Sequence, residues 1–277
     1  MRPQRITSTN NQVVKDLVRL KRKRGRYRRR LFLAEGEDLL AAALAAGISP
    51  QAAFVDQGAE SDLTRRLLPD GLIPGRPEPE IYLVDAEVMS RISGLGSGTR
   101  VISVFAFVDR RLPSRAPAAR AGGPFLFISG AGDPGNVGTL VRAAAAFGAA
   151  GVILGPQTAD PFSPKALRAT MGAIFQVPLY LGVAPDELVS WAERQNLAII
   201  SADAHRGKPV SEADLTGAFV LTVGAEREGA PEQLLTAGQI VTIPQAAEVE
   251  SINLAMAGSV ILYEAQRQRR RRESGSE

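Results

Sequence analysis

Hydrophobic positions change period several times along the chain, and each change marks an expected element. Val13, Val14, Leu17 and Leu20 recur at helical spacing, which predicts a helix over residues 12–24. Leu31-Phe32-Leu33 predicts a short strand, and Gly36 then opens a helix that runs to Ala46 and stops at Gly47. Apolar runs at 53–55, 81–84 and 101–108 predict further strands, with a helix at 63–68 among them. Beyond residue 123 the alternation resumes. Strands are predicted at 125–128, 151–154, 197–201, 218–223 and 239–243, and helices at 137–147, 185–195 and 252–269. Strands separated by helical stretches predict an α/β fold with a mostly parallel sheet.

Between these two series, residues 109–123 carry Pro113, Pro117, Gly122, Gly123 and several arginines with little apolar content. That composition predicts an interdomain linker. The expected organisation is a basic arm or helix at 1–30, a small α/β unit at 31–108, the linker, and a larger α/β domain at 124–277.

Composition narrows the function classes. The chain has 277 residues, 45% of them apolar, which is enough for a sizeable core. No apolar run approaches the roughly 18 to 20 residues needed to span a bilayer. Residues 1–30 lack the apolar centre of a secretory signal, so a cytoplasmic location is expected. The absence of cysteine removes disulfides, thiolate metal sites and cysteine nucleophiles. With one histidine, His205, in a polar loop, no common zinc site or catalytic triad can be assembled, and no metal is expected.

The net charge of +4 is unevenly distributed. Residues 1–30 hold twelve basic groups against Asp16 alone, and the tail 267–277 holds five arginines against two glutamates. The intervening residues hold 16 basic and 26 acidic groups. Arg22, Arg24, Arg28 and Arg29 belong to blocks that suit phosphate contacts, and guanidinium matches phosphate better than ammonium does. A merely solubilising arm would show the same charge.

Three loops at the ends of predicted strands carry the candidate chemistry, where open α/β sheets bind ligands. The first, residues 129–142, follows strand 125–128. Its Gly130-x-Gly132-x-x-Gly135 matches a dinucleotide fingerprint, which also needs an acid after the next strand. That strand ends in Gly155-Pro156-Gln157, without an acid, so a nicotinamide reading is disfavoured. In the alternative, Asn136 caps a helix beginning at Val137, and Gly138 leaves room for Arg142, four residues on, to reach back over the loop. The second loop, 223–231, places Glu226 between Gly224 and Gly229. The third has Ile243-Pro244, then Ser251-Ile252-Asn253-Leu254 opening a helix that Ser251 or Asn253 caps. The small residues Ala255, Gly258 and Ser259 with Leu262 form a stripe suited either to core packing or to a dimer contact. Lys165 and Arg168, three apart, face either a phosphate or solvent.

Taken in this order and spacing, the loops resemble the three motifs of the SpoU (TrmH-type) RNA 2′-O-ribose methyltransferases of the SPOUT class. Asn136, Gly138 and Arg142 match the first motif; Gly224, Glu226 and Gly229 the second; Ile243-Pro244 and Ser251-Ile252-Asn253 the third. Residues 165–172 resemble the segment between the first two motifs. Asn11, the basic helix and residues 31–36 are similar to the family's ribosomal-protein-like substrate-binding domain. The chain departs from the pattern at Ile252, where leucine is usual, and at Ala225, Arg227 and Ala230-Pro231.

The resemblance implies a trefoil-knotted C-terminal fold, S-adenosylmethionine as cofactor and a homodimer formed partly through the last helix. It places the cofactor against Val223, Gly224, Ile243, Ile252 and Leu254, and it surrounds the reacting ribose with Asn136, Arg142, Glu226, Ser251 and Asn253. Structured RNA is the implied substrate, ribosomal first and transfer RNA second, gripped by Arg22, Arg24, Arg28, Arg29, Lys165 and Arg168. Arg142 is either the base that takes the ribose proton or the group that holds the adjacent phosphate. Arginine ordinarily keeps its proton, so the first role would require deep burial. An RNA-binding assembly factor with an inactive methylase domain is the remaining alternative.

Overall fold

The computed structural model describes residues 3–60, 63, 78–94, 98–114, 123–225, 228–246, 248 and 251–274. The helix expected at 63–68 lies almost wholly outside the described residues, as does Glu226. The chain divides into two compact units, Met1–Phe107 with Phe162–Phe175, and Val108–Pro161 with Gln176–Glu277.

In the first unit, strands β1 (Gln4–Ile6), β2 (Leu31–Glu35), β3 (Ala52–Asp56), β4 (Glu80–Val84) and β5 (Val101–Ala106) form one sheet of order β1-β4-β3-β5-β2. Pairing is parallel among β1, β4 and β3, and antiparallel on both sides of β5. Helices α1 (Gln12–Leu20), α2 (Lys23–Arg29), α3 (Glu37–Ala45) and α4 (Ala86–Ile92) belong to this unit. Asn11 caps α1 by accepting the Val13 N–H at 2.8 Å, and Val14, Leu17 and Leu20 bury its apolar face in the core with Phe54, Tyr82 and Ile102.

The single helix expected over 12–24 is two helices, and of the arm or helix expected at 1–30 the described residues form helices built into the first unit. Buried Arg26 donates to the carbonyls of Leu20 and Lys21 at 2.9 and 2.8 Å, closing α1 where it would otherwise continue. Gly25 permits the reversal, because a Cβ there would lie 2.0 Å from the Arg19 carbonyl oxygen. β1 pairs with β4, so the chain is integrated from Gln4 onward.

The boundaries also differ from those expected at the other end. Phe162 stacks on Phe32 at 4.9 Å and meets Phe107 at 4.1 Å, and Phe175 lies 5.0 Å from Phe105. These aromatic contacts draw residues 162–175, including helix α6 (Pro164–Thr170), into the first unit rather than the second. Conversely, residues 109–114 are built into the second unit and do not behave as a linker. There β6 (Asp109–Arg110) pairs with β9 (Leu179–Leu181), and Trp191 and Gln195 donate to the carbonyls of Pro113 and Ser114, each at 2.9 Å.

The second unit is an all-parallel sheet of order β11-β13-β10-β12-β7-β8-β9-β6. Its further strands are β7 (Phe125–Ile128), β8 (Gly151–Leu154), β10 (Ala198–Ala202), β11 (Lys208–Pro209), β12 (Phe219–Val223) and β13 (Gln239–Thr242). Every residue of β7, β8 and β12 is buried, which is why these segments read as unbroken apolar runs rather than alternating ones. Helices α5 (Pro134–Ala146), α7 (Pro185–Arg194), α8 (Glu232–Thr236) and α9 (Leu254–Ser274) connect or flank the strands. The small-residue stripe of α9 serves this unit's own packing. Ala255 and Leu262 are buried, and a Cβ on Gly258 would come within 2.5 Å of Leu140 on α5.

Candidate active site

β7 and β12 are neighbours in the sheet, so the loops that leave their carboxyl ends start side by side. Ser129 donates its N–H to the Val223 carbonyl at 2.9 Å. Gly130 follows with φ +67°, and its N–H is taken by Thr158 Oγ1 at 3.2 Å, while Thr158 donates to the Ile128 carbonyl at 3.1 Å. Thr158 is buried and braces the first loop, a role the sequence pattern did not reveal.

Helix α5 starts three residues earlier than expected. Asp133, not Asn136, is its N-cap, accepting the Gly135 N–H, and Pro134 occupies the first turn, where its missing N–H costs nothing. Asn136 is thereby released from capping. Its Oδ1 accepts from Asn253 Nδ2 at 3.1 Å. Asn253 is at once the cap of α9, since its Oδ1 accepts from Ala255 and Met256 N–H at 2.9 and 3.3 Å. The cap is therefore Asn253 rather than Ser251. One asparagine ties together the positive ends of two helices that are 117 residues apart in sequence.

The second loop closes on itself. Gly229 has φ +70° and donates its N–H to the Ala225 carbonyl at 2.8 Å. A Cβ on Gly224 would fall 1.9 Å from the Gly229 carbonyl carbon and oxygen, so glycine at 224 is needed for closure rather than only for approach to a ligand.

Beside this junction lies a cavity of about 400 Å³, within the range of small-molecule sites. It is lined by all five expected cofactor contacts, Val223, Gly224, Ile243, Ile252 and Leu254, and by Ser251. Asn253 sits in the chain between two of these residues. Arg142 does not line the cavity; it is exposed on α5. Arg22, Arg24, Arg28, Arg29, Lys165 and Arg168 are exposed in the first unit, with Arg29 paired to Asp16 at 2.7 Å.

Other lining residues were not anticipated. The turn after β10 contributes Ala202, Asp203, Ala204 and His205, and the third loop contributes Gln245. The rule that ligands gather at the carboxyl ends of parallel strands applies to β10 as much as to β12. Burial raises the Asp203 pKa, but backbone and side-chain hydrogen bonds from His205 and Arg206 outweigh it and hold the carboxyl below its ordinary value. His205 is exposed and serves this turn through its N–H, 2.9 Å from Asp203 Oδ1. Among the described residues no group of His, Asp and Glu could hold a metal ion, and no helix is long and apolar enough to cross a membrane.

Residues 124–263 match the SpoU rRNA methylase family. The chain belongs to that family. Residues 11–102 match the MRM3-like substrate binding domain, consistent with the first unit's separate core. The SpoU chain is 34% identical to an uncharacterized tRNA/rRNA methyltransferase of Synechocystis, over 95% of this chain and 93% of that one. It is 30% identical to the 23S rRNA (guanosine(2553)-2′-O)-methyltransferase RlmP of Bacillus subtilis, over 93% and 97% of the two chains. Among solved structures, the AdoMet-bound rRNA methyltransferase from Sinorhizobium meliloti superimposes with a TM-score of 0.82 at 31% identity, covering 95% and 97%. Membership in the SpoU family excludes the nicotinamide reading.

Proposed function

We propose that this chain methylates a ribose 2′-hydroxyl of ribosomal RNA, with the cofactor held in the cavity beside the Asn253–Asn136 junction. The observation that carries the reading is that junction itself. It joins the first and third motifs next to a cavity lined by every expected cofactor contact. The chain is an S-adenosylmethionine-dependent RNA methyltransferase, as its family membership states. The ribosomal substrate follows from what RlmP is named for.

The residues present fit this cofactor. Ile243, Ile252 and Leu254 offer apolar walls for an adenine ring, and the carboxylate of Glu228 suits the cationic end of the molecule. When bound, the cofactor supplies an electrophilic methyl group on a sulfonium.

The protein's contribution is orientation and electrostatics. Asn136 and Asn253 fix each other at two helix N-termini, whose partial positive charge favours the oxyanion that develops as the ribose hydroxyl loses its proton to solvent water. Ser251 completes the ribose side in this reading, the role of Glu226 being carried over from the second motif alone, and near-attack positioning is worth about 7–11 kcal/mol. Arg142 is exposed in the single chain, which supports the phosphate-gripping role over that of the base. The exposed Arg22, Arg24, Arg28, Arg29, Lys165 and Arg168 hold the RNA backbone from the first unit.

The active species is a homodimer. Met256, Val260 and Tyr263, at successive turns of α9, expose 61%, 42% and 52% of their surface, an apolar stripe that a second copy would cover. This reading gives the last helix its expected dimer role through a face other than the small-residue stripe. The second unit is assigned the family's trefoil knot, a reading supported by residues of the second and third loops lining one cavity. Action on ribosomal RNA supports a cytoplasmic location.

Incubating the protein with labelled S-adenosylmethionine and ribosomal or transfer RNA transcripts tests the proposal. Label is expected on a ribose 2′-oxygen of the ribosomal transcript. Label on transfer RNA alone, or on a base, would overturn it.

A further inference from the structure

We infer that Arg270 and Arg271, at the far end of α9, hold phosphates of the substrate RNA at a distance from the reacting ribose. The inference rests on the chain acting on RNA and adds a contact outside the three motifs. Residues 176–266 hold 4 basic and 12 acidic groups, and the block that follows carries arginine at 267, 269, 270, 271 and 272. A helix C-terminus favours cations in its last turn, yet these five do not share one task. Arg267 pairs with Glu264 through hydrogen bonds of 2.7 and 2.6 Å. Arg269 donates to the Phe147 carbonyl at 3.4 Å, and Arg272 to Thr216 Oγ1 at 3.0 Å. Between them Gln268 accepts the Leu215 N–H at 2.9 Å and donates to the Ala213 carbonyl at 3.0 Å. These bonds fasten the helix end to the body of the second unit.

Arg270 and Arg271 take no part in that fastening. Both are exposed, and neither side chain has an ion pair or hydrogen bond among the described residues. Two guanidinium groups on a rigid support, at the end of an otherwise acidic stretch, match a polyanion, and their adjacency lets them meet neighbouring phosphates. The helix also sets where on the RNA they act. α9 runs unbroken from Leu254 to Ser274 and is capped by Asn253 at the junction of the first and third motifs. At 1.5 Å per residue, Arg270 stands about 24 Å along the axis from that junction. The contact therefore falls on RNA flanking the target nucleotide, and the substrate is a folded segment that extends that far. It also lies about 10 Å past Tyr263, beyond the apolar stripe assigned to the second copy.

Filter binding of a ribosomal RNA transcript over a salt series tests this on the full-length protein. The variant Arg270→Gln with Arg271→Gln is compared with wild type and with Arg194→Gln plus Lys208→Gln, which removes the same charge from other exposed positions of the second unit. Each phosphate contact contributes about 0.7–0.9 to the slope of log affinity against log salt. The Arg270 and Arg271 variant should lose about 1.4–1.8 of slope and bind about tenfold or more weakly near 0.1 M salt. The control should match wild type. Unchanged thermal unfolding and S-adenosylhomocysteine affinity exclude a folding defect. Equal slopes for wild type and the Arg270 and Arg271 variant would overturn the assignment. A control that loses as much slope would do so too, by reducing the effect to net charge. So would a variant that turns monomeric in light scattering, by placing these arginines in the dimer contact. Methylation of the transcript by the wild type is read in the same samples, which separates failure of this inference from failure of the ribosomal assignment.

Discussion

Replacing Asn253 by aspartate separates that residue's two jobs. Its Oδ1 accepts the N–H groups of Ala255 and Met256, while its Nδ2 donates to Asn136. Aspartate caps a helix about as well as asparagine, and its charge is favoured at the helix N-terminus by about 0.3–1 kcal/mol. The donated hydrogen bond is lost, at a cost of about 0.5–1.5 kcal/mol, and two acceptors then face each other. These effects oppose, so the stability of Asn253→Asp should stay within about 1 kcal/mol of wild type. Asn253→Ala loses cap and bridge together and should cost about 2 kcal/mol. Urea unfolding by far-ultraviolet circular dichroism measures both. In steady-state assays on ribosomal RNA, Asn253→Asp should lower kcat/KM by about tenfold or more, because Asn136 loses the tie that orients it, while affinity for S-adenosylhomocysteine holds within about threefold. An aspartate variant as active as wild type would show that the tie between first and third motifs does not position the ribose, and the mechanistic reasoning would fail.

Gly224→Ala should open the second loop, because its new methyl meets backbone that cannot swing aside; calorimetry should show cofactor affinity reduced about tenfold or more. Unchanged affinity would mean the loop relaxes without cost. Met256→Glu with Val260→Glu should convert dimer to monomer in light scattering after size exclusion, and persistent dimers would reject the α9 interface. Tyr82 is 7% exposed, and burial first, then its hydrogen bond to Glu80 and that carboxylate's charge, push its pKa up to about 12. The folded value exceeds the unfolded value of about 10, so this contribution is intact below pH 10 and fades as pH rises toward 12, by about 2–3 kcal/mol. Tyr82→Phe should flatten that alkaline decline between pH 10 and 12, and an unaltered slope would refute the assignment.

The sheet of the second unit was legible because β7, β8 and β12 are buried on both faces and write themselves as continuous apolar runs. The short strands β1, β6, β9 and β11 carry two or three residues each, too few for any periodicity to register. Helix boundaries failed where a side chain competes for backbone groups. Arg26 stops α1, and Asp133 rather than Asn136 starts α5. The five expected cofactor contacts came from the resemblance to the SpoU motifs, and one cavity is lined by all of them, whereas Asp203, His205, Gln245 and Thr158 take their places through tertiary placement that no local pattern encodes. Domain limits were the least legible. The pairing of Phe162 with Phe32 and Phe107 depends on residues more than fifty positions apart.

That aromatic pairing also orders events during synthesis. Because Phe162 and Phe175 complete the hydrophobic layer of a unit that otherwise ends at Phe107, a nascent chain emerging from the ribosome cannot finish its first half until residue 175 has been released. By then β7, α5 and β8 of the other half have already been made. Maturation of the two halves is interleaved rather than sequential. A genetic truncation anywhere between residues 108 and 161 strips the first half of Phe162 and Phe175, leaving Phe32 its stack on Phe105 and Phe107 its edge contact with Tyr27.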